Sequence, residues 1–359
     1  MIPISICIIM KNEEKKIAAC LSSLHDVFFN STDQKGEIIV VDTGSTDQSI
    51  RLASAFVSKV HHFEWINDFA AAKNYAASLA SNDMILILDA DESLTFIDHA
   101  LLQQSMLTHP KAIGQLSRDN LVEENGIITS HTDRVERLYD RRLFHFIHPI
   151  HEQLVPIQEI PIVYYPIPVQ ISHTGYLLSQ EELCRKAKRN NQLLFKELHL
   201  RPKDPYLHYQ IGQSYLLMRD YNGALPWFEK GLQLPVDPGM EYVQMMLIGY
   251  GECLLALDRA KDALSIADVY ESFKDTPEYL FLVGQIYLNN DMYLKAYGEF
   301  LKCLSMKPNR TQGVTTYFAY HNIAVINELL GNKDMAITFY EKAGDYPRSA
   351  DRLKELKKQ

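Results

Sequence analysis

Met84-Ile85-Leu86-Ile87-Leu88 is an unbroken apolar run of strand length, and it stops abruptly at Asp89-Ala90-Asp91-Glu92. A segment that is apolar on every side reads as a strand buried on both faces of a parallel sheet. Ionised carboxylates cannot follow it inward, because desolvation without partners costs roughly several kcal/mol each. The acids therefore belong at the strand's carboxyl end, where open α/β sheets bind their ligands. Two Asp on alternate positions of a short turn can hold a hard divalent cation through oxygen. A solvated turn or a helix cap would show the same Asp-x-Asp, so the surrounding pattern has to decide.

That pattern alternates strand and helix through the first ninety residues. Strands are expected at Ile4–Met10, at Glu37–Val41 and, briefly, at Lys59–His62. Ile17, Leu21 and Leu24 mark the apolar face of a helix after the first strand. Ser45 or Thr46 suits the N-cap of the helix after the second, with Asp47 in its first turn. An Ala-rich helix from about Asp68 to Leu79 precedes the Met84–Leu88 strand. Such alternation predicts a doubly wound, mostly parallel sheet. From Ala112 to Ser172 short apolar runs are broken by polar residues and by Pro149, Pro156, Pro161, Pro166 and Pro168, which predicts mixed sheet and loop. A charged helix near Glu181–Leu198 follows.

Beyond Pro202 the chain repeats itself. Gly212, Gly251, Gly284 and Ala324 are each followed twelve residues later by Ala224, Ala263, Ala296 and Ala336, and four residues after that by Phe228, Ala267, Phe300 and Tyr340. The starts lie 39, 33 and 40 residues apart, which fits the tetratricopeptide pattern of paired antiparallel helices packed through small residues. The second and fourth copies are the weaker ones. The expected organisation is a nucleotide-binding α/β domain over 1–178, a helical linker over 179–203, and repeats with a capping helix over 204–359.

Composition narrows the function. A net charge of −9 argues against a nucleic-acid partner. Cys7, Cys20, Cys184, Cys253 and Cys303 have neither metal-finger nor redox spacing, and fit a reducing compartment. The apolar N-terminus has no basic flank or cleavage site, and no stretch approaches the roughly 20 apolar residues of a membrane helix. A soluble, cytoplasmic protein with no membrane span is expected.

Four polar features fall at the carboxyl ends of the expected strands: Lys11-Asn12-Glu13, the Asp42–Asp47 segment, Lys73, and Asp89 with Asp91. A nucleotide belongs at such a rim. There is no Gly-x-Gly-x-x-Gly and no Walker loop, so a diphosphate would need a metal on Asp91 and a cation such as Lys73. Ile8-Ile9-Met10-Lys11-Asn12-Glu13, Val40-Val41-Asp42-Thr43-Gly44-Ser45-Thr46-Asp47 and Asp89-Ala90-Asp91 resemble the nucleotide-sugar domain of family-two inverting glycosyltransferases, which have the GT-A fold. Phe63-Glu64-Trp65-Ile66-Asn67-Asp68-Phe69 with Lys73-Asn74 is similar to a bacterial branch of that family. That branch carries C-terminal tetratricopeptide repeats and includes peptide S-glycosyltransferases that modify bacteriocin precursors.

The resemblance implies a hexosyl-type transferase, a UDP-sugar donor and a peptide or protein acceptor with a Cys, Ser or Thr side chain. It implies that Asp42 reads the uracil ring, that Lys11 and Glu13 line base and ribose, and that Asp89, beside Ala90, binds a ribose hydroxyl. Asp91 would ligate Mn²⁺ or Mg²⁺, and Lys73 matches a position usually filled by Arg or Lys near the nucleotide. His173, in Ser172-His173-Thr174-Gly175-Tyr176, resembles a position where a His completes the metal site. The alternatives are a turn-forming Asp42, a Lys73 on a solvated helix face and a structural His173.

An inverting transfer also needs a base for the acceptor proton. Glu152, in Ile150-His151-Glu152-Gln153, is the candidate, against the alternative that it pairs with an arginine. Arginines 134, 137, 141 and 142 either face the diphosphate or form a salt-bridged surface. His61, His62, His148 and His151 read as structural. The repeats are expected to recruit the acceptor or to form a homodimer. Rival readings are a cell-surface saccharide acceptor, or a scaffold with a vestigial nucleotide domain; intact Asp42, Asp89 and Asp91 argue against the scaffold.

Overall fold

The computed structural model describes residues 2–29, 36–124, 127–175 and 179–358. The chain divides into two compact units, Met1–Leu178 and Ser179–Gln359. In the first, β1 (Ile4–Met10), α1 (Ile17–Ser23), β2 (Gly36–Asp42), α2 (Ser49–Ala53), β3 (Val60–His62), α3 (Phe69–Ser78) and β4 (Met84–Asp89) follow the expected alternation. Then come β5 (Glu92–Ile97), α4 (His99–Thr108), β6 (Ile113–Glu124), β7 (Ile127–Asp140), β8 (Phe144–Ile147), β9 (Gln153–Pro156) and β10 (Tyr164–His173). One sheet has the order β3-β2-β1-β4-β7-β6-β10-β5, and β8 pairs with β9 apart from it.

The sheet is parallel from β3 to β4 and reverses at β7, which pairs antiparallel with both β4 and β6. Successive strands run outward from β1 to β3 on one side, while β4 lies on the other. The crevice beyond the carboxyl ends of β1 and β4 is therefore a topological switch point. Register brings the key residues to one level, with Met10 opposite Asp42 and Ile9 opposite Asp89.

Period-two alternation fills both faces of the parallel half. Ile4, Ile6, Ile8, Leu86 and Leu88 pack with Ile17 and Leu21 of α1 on one side. Cys7, Ile39, Val41, Ile85 and Ile87 pack with Ala70, Ala76 and Ala77 of α3 on the other. The alanines let α3 lie close to the sheet, capped by Asp68, whose carboxylate accepts the Ala71 N–H at 2.8 Å. Ser45 and Thr46 do not cap α2. Gln48 is its N-cap residue, and the Ser45 hydroxyl is engaged by the loop after β1.

The second unit begins with α5 (Gln180–Leu200), so the stretch read as a linker is part of that unit. Ser179 and Glu182 form a capping box at its start. Helix pairs follow: α6 (Pro205–Leu217) with α7 (Tyr221–Leu232), then α8 (Glu241–Ala256) with α9 (Ala260–Ala263) and α10 (Tyr270–Phe273). Next are α11 (Pro277–Leu288) with α12 (Tyr293–Ser305), α13 (Tyr317–Leu329) with α14 (Lys333–Lys342), and the closing α15 (Pro347–Leu356). A methyl added to Gly212 would run into the Phe228 ring, and one on Gly284 would come 2.7 Å from Phe300, which is why small residues precede aromatics in these copies. The second copy is irregular, because a 3₁₀ stretch over Leu264–Val269 separates α9 from α10.

Each first helix ends in the same way. Arg219, Asp258, Asp291 and Gly331 have positive φ, at the 39-, 33- and 40-residue spacing of the repeats. The next N–H reaches back five residues in each case: Asp220 to Tyr215, Arg259 to Leu254, Met292 to Tyr287 and Asn332 to Asn327, at 2.8–3.0 Å. These are Schellman turns, whose left-handed position favours glycine. Arg219→Gly is accordingly expected to stabilise the protein by about 0.5–1 kcal/mol, since a side chain there costs more than glycine's added entropy. Thermal melting should rise by about 2 °C; a fall would show that the Arg219 side chain has a packing role.

Candidate active site

The loops after β1 and β2 are locked together. Asn12, at φ 56°, donates its N–H to Ser45 Oγ at 2.9 Å, and its Oδ1 accepts the Thr46 N–H at 2.8 Å. Glu13 N–H donates to Ser49 Oγ at 2.7 Å, and Glu14 N–H to Asp47 at 3.2 Å. Asn tolerates the left-handed conformation better than most residues. This zipper fixes exposed Lys11 and half-buried Glu13 beside Asp42. Asp42 is 3% exposed and accepts the N–H groups of Gly44 at 2.9 Å and Ser45 at 3.1 Å. The turn-forming role is thus present, and a carboxylate's remaining lone pairs stay available to a ligand.

At the end of β4 an ion network built on buried Lys73, Arg137 and Glu92, with the Asp89 side chain still 34% exposed, replaces the open rim expected from the sequence. Lys73 sits mid-helix on α3 and is 4% exposed, so it does not lie on a solvated face. Its Nζ lies 3.3 Å from Asp89 Oδ1 and hydrogen-bonds to Glu152 Oε1. Arg137 of β7 donates to Asp89 Oδ2 and to Glu92 Oε1, both at 2.7 Å. Glu92 is fully buried and accepts the Asp89 N–H at 2.9 Å, closing the turn. Arg118 of β6 holds Asp133 at 2.6 Å and approaches Glu92 at 3.6 Å. Burial works to raise the pKa of Asp89, but Arg137 and Lys73 outweigh it and hold the carboxyl well below the usual range. Glu152 is likewise held low: burial opposes ionisation and Lys73 overcomes it.

Glu152 follows a strained loop between β8 and β9. His148 and His151 both have positive φ, at 72° and 50°. Helix α3 holds this loop. Asn74 brackets Phe146, donating to its carbonyl at 2.8 Å and accepting its N–H at 2.9 Å, while Phe69 N–H donates to Pro149 at 3.0 Å. Strain of this kind clusters where geometry is functionally constrained. Burial pushes His151 down to about 4, so it stays neutral at physiological pH.

Asp91 points elsewhere than Asp89. Its Oδ2 lies 3.4 Å from His173 Nε2 and 3.7 Å from Lys16 Nζ. His173 Nδ1 is 2.8 Å from Asn120 Oδ1, and the Asn120 amide is oriented by its Nδ2 donating to the His131 carbonyl at 3.1 Å. An acceptor at Nδ1 favours a ring proton there, and in that tautomer Nε2 presents a lone pair toward Asp91. That is the tautomer a metal-bound His adopts. Gly175 completes the cradle, since a methyl on it would collide with both His173 Nε2 and Asp91 Oδ2. Among the described residues no three His, Cys, Asp or Glu side chains converge as a metal cluster. Asp91 and His173 are the two side chains here whose chemistry could hold a divalent ion. Tyr176 lies outside the described residues.

Ala90 is buried between the two carboxylates and makes room for them to diverge. The arginines separate cleanly. Arg137 belongs to the site, whereas Arg142 pairs with Asp140 and Asp83, and Arg141 donates to the Ala77 carbonyl, at the amino end of β4. Arg134 is exposed. Glu92, Asn120 and Arg118 were not assigned roles from the sequence. Only Glu92 carried a signal, as the third acid after the apolar run.

Residues 5–155 match glycosyl transferase family 2, and residues 205–235, 277–310 and 319–343 match tetratricopeptide repeats. The irregular second copy is outside those matches. The chain is 32% identical over 279 residues to TPR repeat-containing protein Synpcc7942_0270 of Synechococcus elongatus, covering 74% of this chain and 66% of that one. It is 26% identical over 228 residues to the SPbeta prophage-derived glycosyltransferase SunS of Bacillus subtilis, covering 63% and 52%. Uncharacterized glycosyltransferase RT0209 of Rickettsia typhi is 39% identical over 92 residues, covering 26% and 29%. The chain thus spans two thirds or less of the length of these relatives. No helix among the described residues is long and apolar enough to cross a membrane. Fold, site and relatives agree: the chain carries a glycosyl transferase family 2 domain followed by tetratricopeptide repeats.

Proposed function

We propose that the first unit transfers a sugar, with inversion, from a UDP-sugar to a side chain of a peptide or protein acceptor. The observation that carries this reading is the approach of Asp91 Oδ2 to His173 Nε2 at 3.4 Å, with His173 Nδ1 held by Asn120 Oδ1. Two such groups 3.4 Å apart favour a shared cation between them. Asp91 and His173 would hold Mn²⁺ or Mg²⁺. Bound there, the ion supplies charge neutralisation to a departing diphosphate.

The remaining steps belong to this chain's own residues. Lys11, Glu13 and Asp42, on the interlocked loops, bind uracil and ribose. Asp89, kept ionised and oriented by Arg137, accepts a hydrogen bond from a ribose hydroxyl. The acceptor's nucleophilic atom forms a bond to the anomeric carbon as the bond from that carbon to the diphosphate oxygen breaks. UDP leaves with the electron pair, and the acceptor proton passes to the Glu152 carboxylate. The repeats supply a surface long enough to hold an acceptor segment.

Calorimetric titration of UDP with and without Mn²⁺ tests the donor. UDP is expected to bind with Mn²⁺ and to lose most of that affinity after chelation. Equal affinity in the two conditions, or a preference for GDP, would overturn the assignment.

A further inference from the structure

A nucleoside diphosphate keeps net negative charge after one divalent ion has bound, so a site that stabilises it as a leaving group gains from a second cation. Lys73, the expected one, is enclosed by Asp89 and Glu152. Arg137 is committed to Asp89 and Glu92, and Arg118 to Asp133. Each of these cations already faces carboxylates, and Lys73 and Arg137 are buried.

Lys16 is placed differently. It lies in the turn after β1, and its backbone N–H is fixed by the Glu13 carbonyl at 2.9 Å. Its Nζ stands 3.7 Å from Asp91 Oδ2, beyond hydrogen-bond length, and its side chain is 19% exposed. The ammonium is thus loosely held at the mouth of the Asp91–His173 pair. Phosphate oxygens gathered at Asp91 would be within reach of a modest swing of its flexible stem. We propose that Lys16 is the donor-diphosphate cation of this site. This rests on the UDP-sugar reading above. The ammonium strengthens its contact as negative charge builds on the departing UDP, while Lys73 serves the base.

The test is calorimetry with Mn²⁺ present, comparing UDP with uridine on the wild type, Lys16→Met and Lys16→Arg. Lys16→Met should weaken UDP roughly tenfold, as loss of a charge-assisted contact does, and leave uridine unchanged. Lys16→Arg should restore most of the loss. A partly exposed, weakly paired lysine contributes little to folding, and the melting temperature of each variant verifies that. UDP affinity within twofold of wild type in Lys16→Met would overturn the proposal. So would an equal loss for uridine, which marks a collapsed base pocket, or tighter binding of UDP and Mn²⁺, which marks a mere counterion to Asp91. If the wild type itself binds no UDP, the donor reading fails, and this inference with it.

Discussion

Lys73→Met is expected to destabilise the first unit by roughly 3–5 kcal/mol, the usual cost of removing one partner from a buried ion pair. Methionine fills the same volume, so the loss is electrostatic rather than steric. Asp89 keeps Arg137, but Glu152 loses the one cation with which it forms an ion pair among the described residues. For a unit of this size the melting temperature should drop by about 10 °C. The pH dependence of the Glu152 contribution should also change sign. In the wild type, Glu152 and Asp89 ionise more readily folded than unfolded, so their contribution is present above the unfolded carboxylate range and is lost as pH falls through the folded values. In Lys73→Met, burial and Asp89 lose their main opponent, with only a backbone hydrogen bond left against them, and raise the Glu152 pKa. The Glu152 contribution should then be present at low pH and be lost as pH rises through that raised value, while Asp89 keeps the opposite dependence through Arg137. Adding Glu152→Gln removes the stranded charge and should recover much of the loss, a coupling that a double-mutant cycle reads directly. A single-variant loss below about 1 kcal/mol would mean that Lys73 behaves as a solvated surface lysine.

The parallel half of the fold was legible because apolar runs there are buried on both faces and end in residues that cannot be buried unpaired. Ile4–Met10 and Met84–Leu88 carry that signal without interruption. The remaining half was legible only as mixed sheet and loop, without its individual strands, for a physical reason. β6 and β7 are held by cross-strand polar pairs, Arg118 with Asp133, Gln115 with Glu136 and Thr132 with Asp119, so their sequences lack apolar alternation. Pro166 and Pro168 looked like strand breakers, yet β10 accommodates them at an irregularity in its pairing with β6 between Pro166 and Gln170. In the site, the carboxyl end of an apolar run pointed to Asp89 and Asp91, whereas Glu152 and His173 were singled out by the family resemblance. Their partners were hidden, because pairing depends on which strand folds back beside β4. Reading Lys73 as a diphosphate cation followed from its charge, its place after the third strand and the family resemblance, none of which shows its partners. Its neutralisation by two carboxylates brought together from 63 residues apart, Asp89 and Glu152, is a tertiary fact.

Glu152→Gln should separate binding from chemistry. Glutamine keeps the volume and an oxygen acceptor for Lys73, which also retains Asp89 at 3.3 Å, so the fold should survive with a smaller loss than in Lys73→Met. UDP affinity should stay near wild type, because Asp42, Asp91 and His173 are untouched. What disappears is the carboxylate proposed to take the proton. Transfer to a hydroxyl acceptor, or to water as UDP-glucose or UDP-N-acetylglucosamine is hydrolysed, should fall by ~10²-fold or more. A thiol acceptor should suffer less, because part of it is already thiolate near neutral pH. The pH profile adds an independent readout. Lys73 holds Glu152 below the usual carboxylate range, so the wild-type rate should persist down through that range and fall only below it. Glutamine has nothing to titrate there, and the variant's residual rate should lack that acid limb. Full hydrolytic activity in a folded Glu152→Gln protein would assign the base to another group. Loss of UDP binding along with activity would instead show that the Asp89–Lys73–Glu152 chain works as one unit, with Glu152 holding the ribose-binding carboxylate in place through Lys73.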